Sequence, residues 1–293
     1  MILITEHTDK FRVFINLSSS ACESQCIYCY VPEGAPQPYL WGNIEIGLRN
    51  LVTTDSFLPG KNGTIITFGG HTEIFRSSQL IDLLIGALKF ICPLGNPVQI
   101  STKQFVNAKT INAINRCSHY PGQIALFVSC ASVTNAKLVE PGTDSPTNRW
   151  LTFTNQQATR MPRALFIKPW LGNTTKQDLH FFAKLAIDYD LNAVCLGPLY
   201  VTQKIHEALS EIDLDKDGSY GIASHPLIVE PHTSITPQTT VLSEFREQLG
   251  QIPLFSSSIC ISAHFAQVAC PLHGQSGCNV ASGTPLNTPT SHA

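Results

Sequence analysis

Arg12-Val-Phe-Ile-Asn-Leu17-Ser-Ser-Ser-Ala-Cys22-Glu-Ser-Gln-Cys26-Ile-Tyr28-Cys29-Tyr30 opens as a strand and ends in three cysteines spaced C-x3-C-x2-C. The strand-like part is Arg12–Leu17, where β-branched and aromatic residues dominate. A serine-rich turn follows, and the thiols stand on the loop behind it. Three thiolates on a short loop can converge on three corners of an iron–sulfur cube. A structural zinc site normally takes four ligands, often as two C-x2-C pairs, and no second pair lies nearby. Three ligands leave one metal position open, which is what a catalytic metal needs. The alternative is that the three cysteines only fill space beneath the loop.

Outward from this loop the chain alternates. Strand-like runs fall at Thr64–Phe68, Val98–Thr102, Ile124–Ser129, Ala164–Lys168 and Ala193–Leu196. Helix-like stretches lie between them, near Asn43–Val52, Ser77–Ile91, Asn107–Arg116, Arg149–Thr159 and Thr175–Asp188. In the last, Thr175 is expected as the cap, with Leu179, Phe182, Ala183 and Ala186 on one face. Short strands alternating with ten-residue helices predict βα units and a parallel sheet, an α/β fold. Six such steps fit an open doubly wound sheet or an incomplete barrel, and periodicity does not separate the two. Beyond residue 225 the rhythm stops at Pro226, Pro231 and Pro237, with one more helix expected at Val241–Leu249 before Gly250.

Composition excludes several classes. The 293 residues carry 19 basic and 21 acidic side chains, a net charge of −2. Charged residues are 14% of the chain, against about 25% in an average soluble domain. Apolar residues are 43%, too many for a disordered chain. No run of about 18 apolar residues predicts a membrane span, and the first twelve residues, interrupted by Glu6, Asp9, Lys10 and Arg12, lack the pattern of a secretory signal. The expected compartment is the reducing cytoplasm, where the ten cysteines are thiols, ligands or core fillers.

With Tyr28 before its last cysteine, the triad resembles the signature of radical S-adenosylmethionine (SAM) enzymes. That resemblance implies a 4Fe-4S cluster on Cys22, Cys26 and Cys29, with SAM on the fourth iron. It implies reductive cleavage of SAM to methionine and a 5′-deoxyadenosyl radical, hydrogen abstraction from a substrate, and an electron donor such as flavodoxin or ferredoxin. The implied fold is a partial (β/α)6 barrel, placed here over residues 10–225, with a small irregular C-terminal extension at 226–280 and a disordered tail at 281–293. Thr67-Phe68-Gly69-Gly70-His71-Thr72-Glu73 is similar to the family's GGEP-type motif for the SAM amino group, although His71 and Thr72 intervene and Ile74 replaces proline. Glycines there let backbone approach a ligand closely.

A narrower set resembles the spore photoproduct lyase-like branch: Ile100-Ser-Thr-Lys103, Phe127-Val-Ser129 and Glu140-Pro-Gly-Thr-Asp-Ser-Pro-Thr-Asn-Arg149. By that resemblance Lys103 and Ser129 meet the SAM carboxylate, while Arg149 contacts SAM or pairs with Glu140. Tyr28 and Tyr30 are expected around the cluster and adenine. The branch's DNA-repair members carry a hydrogen-donor cysteine near the end of the second strand, but here residues 62–91 contain none. The acidic balance also lacks the basic footprint of a duplex-DNA binder. A nucleotide, peptide or small-metabolite substrate is expected, in a lyase- or oxidoreductase-type reaction. The contrasting class is a non-catalytic zinc or iron–sulfur binding protein.

Further candidates lie outside the triad. Cys260, His264, Cys270, His273 and Cys278 crowd the C-terminal part, so Cys260, Cys270 and Cys278 are candidates for a second metal. Cys130 is read as a relay or, more simply, a core thiol, and Cys92, Cys117 and Cys195 as apolar fillers. Asp213-Leu-Asp-Lys-Asp217-Gly218 begins like a calcium loop, but Ser224 stands where the bidentate glutamate belongs, so it is read as an acidic turn. Trp170, after Lys168-Pro169, either touches substrate or caps the barrel.

Overall fold

A computed structural model describes residues 4–6, 11–210, 219–222, 228 and 231–272. Its centre is a run of buried parallel strands: β2 (Arg12–Ile15), β3 (Ile65–Phe68), β4 (Val98–Thr102), β5 (Ile124–Ser129), β6 (Arg163–Ile167) and β7 (Ala193–Leu196), each beside the next in sequence. Nearly every residue in them is buried, because helices or chain cover both faces of a parallel sheet. β1 (Ile4–Glu6) adds antiparallel at one edge and β11 (Leu254–Phe255) adds parallel to β7 at the other.

The crossovers are helical. α1 (Trp41–Leu51) follows β2, α2 (Ser78–Ile91) follows β3, and α3 (Ala108–Asn115) follows β4. After β5 come a short turn, α4 (Ala136–Val139), and α5 (Pro146–Gln156), and after β6 come α6 (Asn173–Lys176) and α7 (Leu179–Asp188). α2 shows how closely sequence dictates these elements. Ser77 Oγ accepts from Leu80 N at 3.3 Å, and Leu80, Leu83, Leu84, Ala87, Leu88 and Ile91 form its buried face.

Two helices differ from expectation. α5 starts at Pro146 rather than Arg149, because Ser145 Oγ accepts from Asn148 N and proline suits a first helical position. Thr175 does not cap α7. Its hydroxyl accepts from Leu171 N and donates to Ala131 O, closing the separate turn α6, while Leu179, Phe182, Ala183 and Ala186 do form the buried face of α7.

Period-two alternation sorts the strand residues between faces. Leu126 and Val128 of β5 pack outward among helices, whereas Ala125 and Phe127 point inward. There they meet Phe166, Cys195 and the underside of α10 (Ser258–Ala266), through Cys260, Ile261, Ala263 and Phe265. α10 therefore lies against the concave face of the sheet as a plug.

The part expected as an irregular extension is regular where it is described. It contributes β10 (Thr233–Thr236), which joins β8 (Leu199–Val201) and β9 (Ser219–Ile222) in a three-stranded antiparallel sheet of order β8-β10-β9, and α9 (Thr239–Leu249), which packs on α7; α8 (Gln203–Ala208) follows β8. β10 thus bonds to strands from before residue 225, and β11 joins the main sheet. The tail at 281–293, the acidic turn at 213–218, His273 and Cys278 lie outside the described residues. No helix among the described residues is long and apolar enough to cross a membrane.

Candidate active site

Parallel strands deliver their C-terminal ends to one side of the sheet, and the loops there build the site. The loop after β2 carries Cys22, Cys26 and Cys29, all partly exposed thiols. It is held by its backbone: Cys22 N donates to Pro32 O at 3.0 Å and Cys29 N to Cys26 O at 2.9 Å. Val31 N donates to Cys29 Sγ at 3.4 Å, a bond that favours the thiolate. Burial pushes the Cys26 thiol up to about 12, against the opposing pull of the Lys103 ammonium. Burial also raises Cys29, with the Val31 bond and Lys103 opposing it.

The segment after β5 buckles this loop in place. Ile27 N donates to Val139 O, and Gly142 N to Ser24 O at 3.0 Å. A Cβ on Gly142 would lie 2.6 Å from Glu23 O and 2.7 Å from Ser24 O, so only glycine allows the approach. Behind it sits a fully buried ion pair, Arg149 Nη1 to Glu140 Oε2 at 2.5 Å. Arg149 Nη1 also donates to Ser129 O at 2.8 Å, and Nε to Asp144 O at 2.7 Å. Of the two roles open to Arg149 in the sequence, the structure shows the pairing with Glu140. The Tyr28 hydroxyl donates to the other Glu140 oxygen. Burial first, then the charges of Cys26 and Glu140, push the Tyr28 phenol well up, so it stays a donor.

The turn after β3 brings Gly69, Gly70 and Glu73. Gly69 has φ +79°, and a Cβ there would meet Ser101 O at 2.3 Å. Its need for glycine is therefore both conformational and steric. Glu73 ties this turn to the end of β4: Oε1 accepts from Thr102 Oγ1 at 2.7 Å and Oε2 from Lys103 N at 2.8 Å. Burial raises its pKa while these bonds lower it, and the net direction is upward. Lys103 Nζ lies 5.8 Å from the centre of the Tyr28 ring. Burial disfavours its ammonium, but Cys26 and Glu140 outweigh burial and raise its pKa.

These residues share one cavity of about 350 Å³. Cys22, Cys26, Cys29, Tyr28, Gly69, Gly70, Glu73, Lys103 and Ser129 all line it. So do residues that sequence reasoning passed over: Arg12, Gln99, Tyr200 and Ser258. Arg12 left one signal, a charge opening an otherwise apolar strand. Lys168 lines the cavity, whereas Trp170 next to it is fully buried in the core and touches none of it. Cys130 is also outside the cavity, donating to Ser132 O from a fully buried position.

Cys260, on the plug helix, and Cys270 stand apart from this site, both buried, with their Sγ atoms 3.2 Å apart. Among the described residues no three or more His, Cys, Asp or Glu side chains, the loop thiols included, are gathered closely enough to hold a single metal ion, whereas an iron–sulfur cluster takes each thiolate on a different iron.

No family model matches the sequence, and no curated protein matches it significantly. Solved structures match the fold. A spore photoproduct lyase variant with bound AdoMet and a dinucleoside spore photoproduct superposes with a TM-score of 0.57 at 15% identity, over 81% of this chain and 74% of that one. TsrM, a radical S-adenosylmethionine methyltransferase from Kitasatospora setae with cobalamin and a 4Fe-4S cluster bound, gives 0.54 at 7% identity. That match covers 82% of this chain and 52% of TsrM. The chain therefore has the partial-barrel fold of radical SAM enzymes, and at these identities the likeness is one of fold.

Proposed function

We propose that this chain is a radical SAM enzyme that holds a 4Fe-4S cluster on Cys22, Cys26 and Cys29 and binds SAM in the cavity beside them. One observation carries the reading. Nine residues picked out for cluster and SAM, from four separate strand-end segments, line a single cavity. The donor set fits the group, since such clusters are held by cysteine thiolates and all three partly exposed cysteines line the cavity. When bound, cluster and SAM together supply reductive cleavage to methionine and a 5′-deoxyadenosyl radical that takes a hydrogen from the substrate.

The chain's own residues bind and orient. Lys103 and Ser129 hold the SAM carboxylate, a charge-assisted pairing. The Gly69–Gly70 backbone admits the amino group closely, and Glu73 Oε2, with one bond from Lys103 N, keeps acceptor capacity toward it. Tyr28, fixed by Glu140, walls the cluster side. The cavity's only thiols among the described residues are the three of the loop, so no further cysteine there returns a hydrogen to a product radical. This supports a nucleotide, peptide or metabolite reaction of lyase or oxidoreductase type over thiol-completed DNA repair. A flavodoxin- or ferredoxin-type donor supplies the electron.

Anaerobic reconstitution with iron and sulfide tests the assignment. The expected result is a brown protein with about four irons per chain, and a colourless Cys22→Ala/Cys26→Ala/Cys29→Ala variant. About eight irons would add a second cluster at Cys260, Cys270 and Cys278. A colourless wild-type protein with stoichiometric zinc would instead make it a zinc-binding protein.

A further inference from the structure

Two cations of the cavity, Arg12 and Lys168, take no part in the SAM contacts above. Arg12 enters from the first residue of β2, and Lys168 stands just past the end of β6. The Arg12 guanidinium is aimed by two bonds from Nη2, to Gln99 Oε1 at 3.2 Å and Ser258 Oγ at 3.1 Å. Ser258 is the first residue of α10 and lines the cavity, so the positive end of that nine-residue helix lies at the same wall. Lys168 Nζ sits 5.3 Å from the centre of the Tyr200 ring and 5.7 Å from that of Phe166.

Among the described residues no carboxylate meets the Lys168 ammonium. Burial lowers its pKa, Cys195 opposes, and the like charges of Arg12 and Lys103 lower it further, to about 8. It stays mostly protonated at neutral pH. Lys168 is partly exposed on the cavity wall, where an ammonium with no counter-charge is disfavoured and the like charges of Arg12 and Lys103 add to the effect. An anion entering the cavity would give the Lys168 ammonium a counter-charge through charge-assisted hydrogen bonds. Phe14, Phe166 and Tyr200 line the cavity beside the two cations and offer ring faces to an apolar or planar body.

We propose that Lys168, in the cavity that Arg12 and Ser258 also line, forms a subsite for an anionic oxygen-bearing group of the substrate, a phosphate or carboxylate. Calling the bearer of that anion the substrate rests on the radical SAM reading; the anion site itself does not.

The probes are inorganic phosphate and acetate, added to the cluster-reconstituted protein with and without SAM. Binding is read by calorimetry and by protection of Lys168 from acetic-anhydride labelling in peptide mass spectra. Saturable binding and protection are expected in the wild type. Lys168→Met should weaken binding by about tenfold or more, as loss of a charged hydrogen bond does. Lys168→Arg should keep most of it. Lys184→Met, which removes the same charge from the outer face of α7, should change nothing. Tighter phosphate marks a phosphorylated substrate, and tighter acetate a carboxylated one. Absence of saturable binding and protection, equal binding by Lys168→Met, or displacement of the probe by SAM would overturn the subsite. Displacement would mean that the site is SAM's own carboxylate pocket. Anion binding without cluster uptake would overturn the radical SAM reading alone.

Discussion

Glu140 and Arg149 form a fully buried ion pair nine residues apart in sequence, and what the pair holds is the three-cysteine loop. One Glu140 oxygen pairs with Arg149 while the other accepts from Tyr28, between Cys26 and Cys29. Removing one partner of such a pair strands a buried charge and typically costs about 3–5 kcal/mol. Glu140→Ala is therefore expected to lose about that much in urea unfolding. Adding Arg149→Met should recover part of the loss, because the stranded guanidinium is gone. A loss well under 1 kcal/mol would show that the pair does not secure the loop. At this scale the sequence was legible where chemistry and spacing coincide, as in the cysteine triad or Lys103 after β4. It was illegible at Arg12 and Ser258, which lie 246 residues apart and meet only because α10 packs into the face of the sheet. Of the two roles open to Trp170, its full burial outside the cavity leaves no contact with a ligand there, since proximity to a strand end says nothing about which way a side chain turns.

The turn after β3 is an element rather than a residue. Gly69 lets it press on β4, Glu73 clasps it there, and His71 Nδ1 bonds Asn16 Oδ1 at 2.8 Å, tying it back to β2. Burial lowers the His71 pKa below its usual value near 6.5. The folded state then takes up a proton less readily than the unfolded chain. His71 thus contributes stability that is complete above about pH 6.5 and fades as pH falls through its lowered folded value. His71→Gln should flatten the loss of stability between about pH 7 and 5 in urea titrations. An unchanged pH slope would mean that His71 is not held neutral. The helices were readable from three- and four-residue periodicity, as α2 and α7 are. Their starts were not, since Ser145 and Thr175 make local bonds that periodicity does not encode.

For the whole molecule, the parallel order of β2 to β7 follows from the alternation of strand and helix. The plug does not. The sequence places α10 in an appendage, because nothing in a Cys- and Ala-bearing stretch announces that it fills the concave face of a sheet. Phe265 is 8% exposed and packs there against Phe127, with ring centres 6.4 Å apart. Phe265→Ala should cost about 3–5 kcal/mol and lower the melting temperature of the whole protein in one transition. A second, independent transition would make residues 231–272 a separate unit.

The same molecule-wide view carries the central claim, that four strand-end segments converge on one site for cluster and SAM. Its most direct test is product formation. The reconstituted protein, given dithionite and SAM under anaerobic conditions, is predicted to release 5′-deoxyadenosine and methionine, and the Cys26→Ala variant is predicted to release none. Equal release by Cys26→Ala, or none by a wild-type protein carrying its full cluster, would contradict the account.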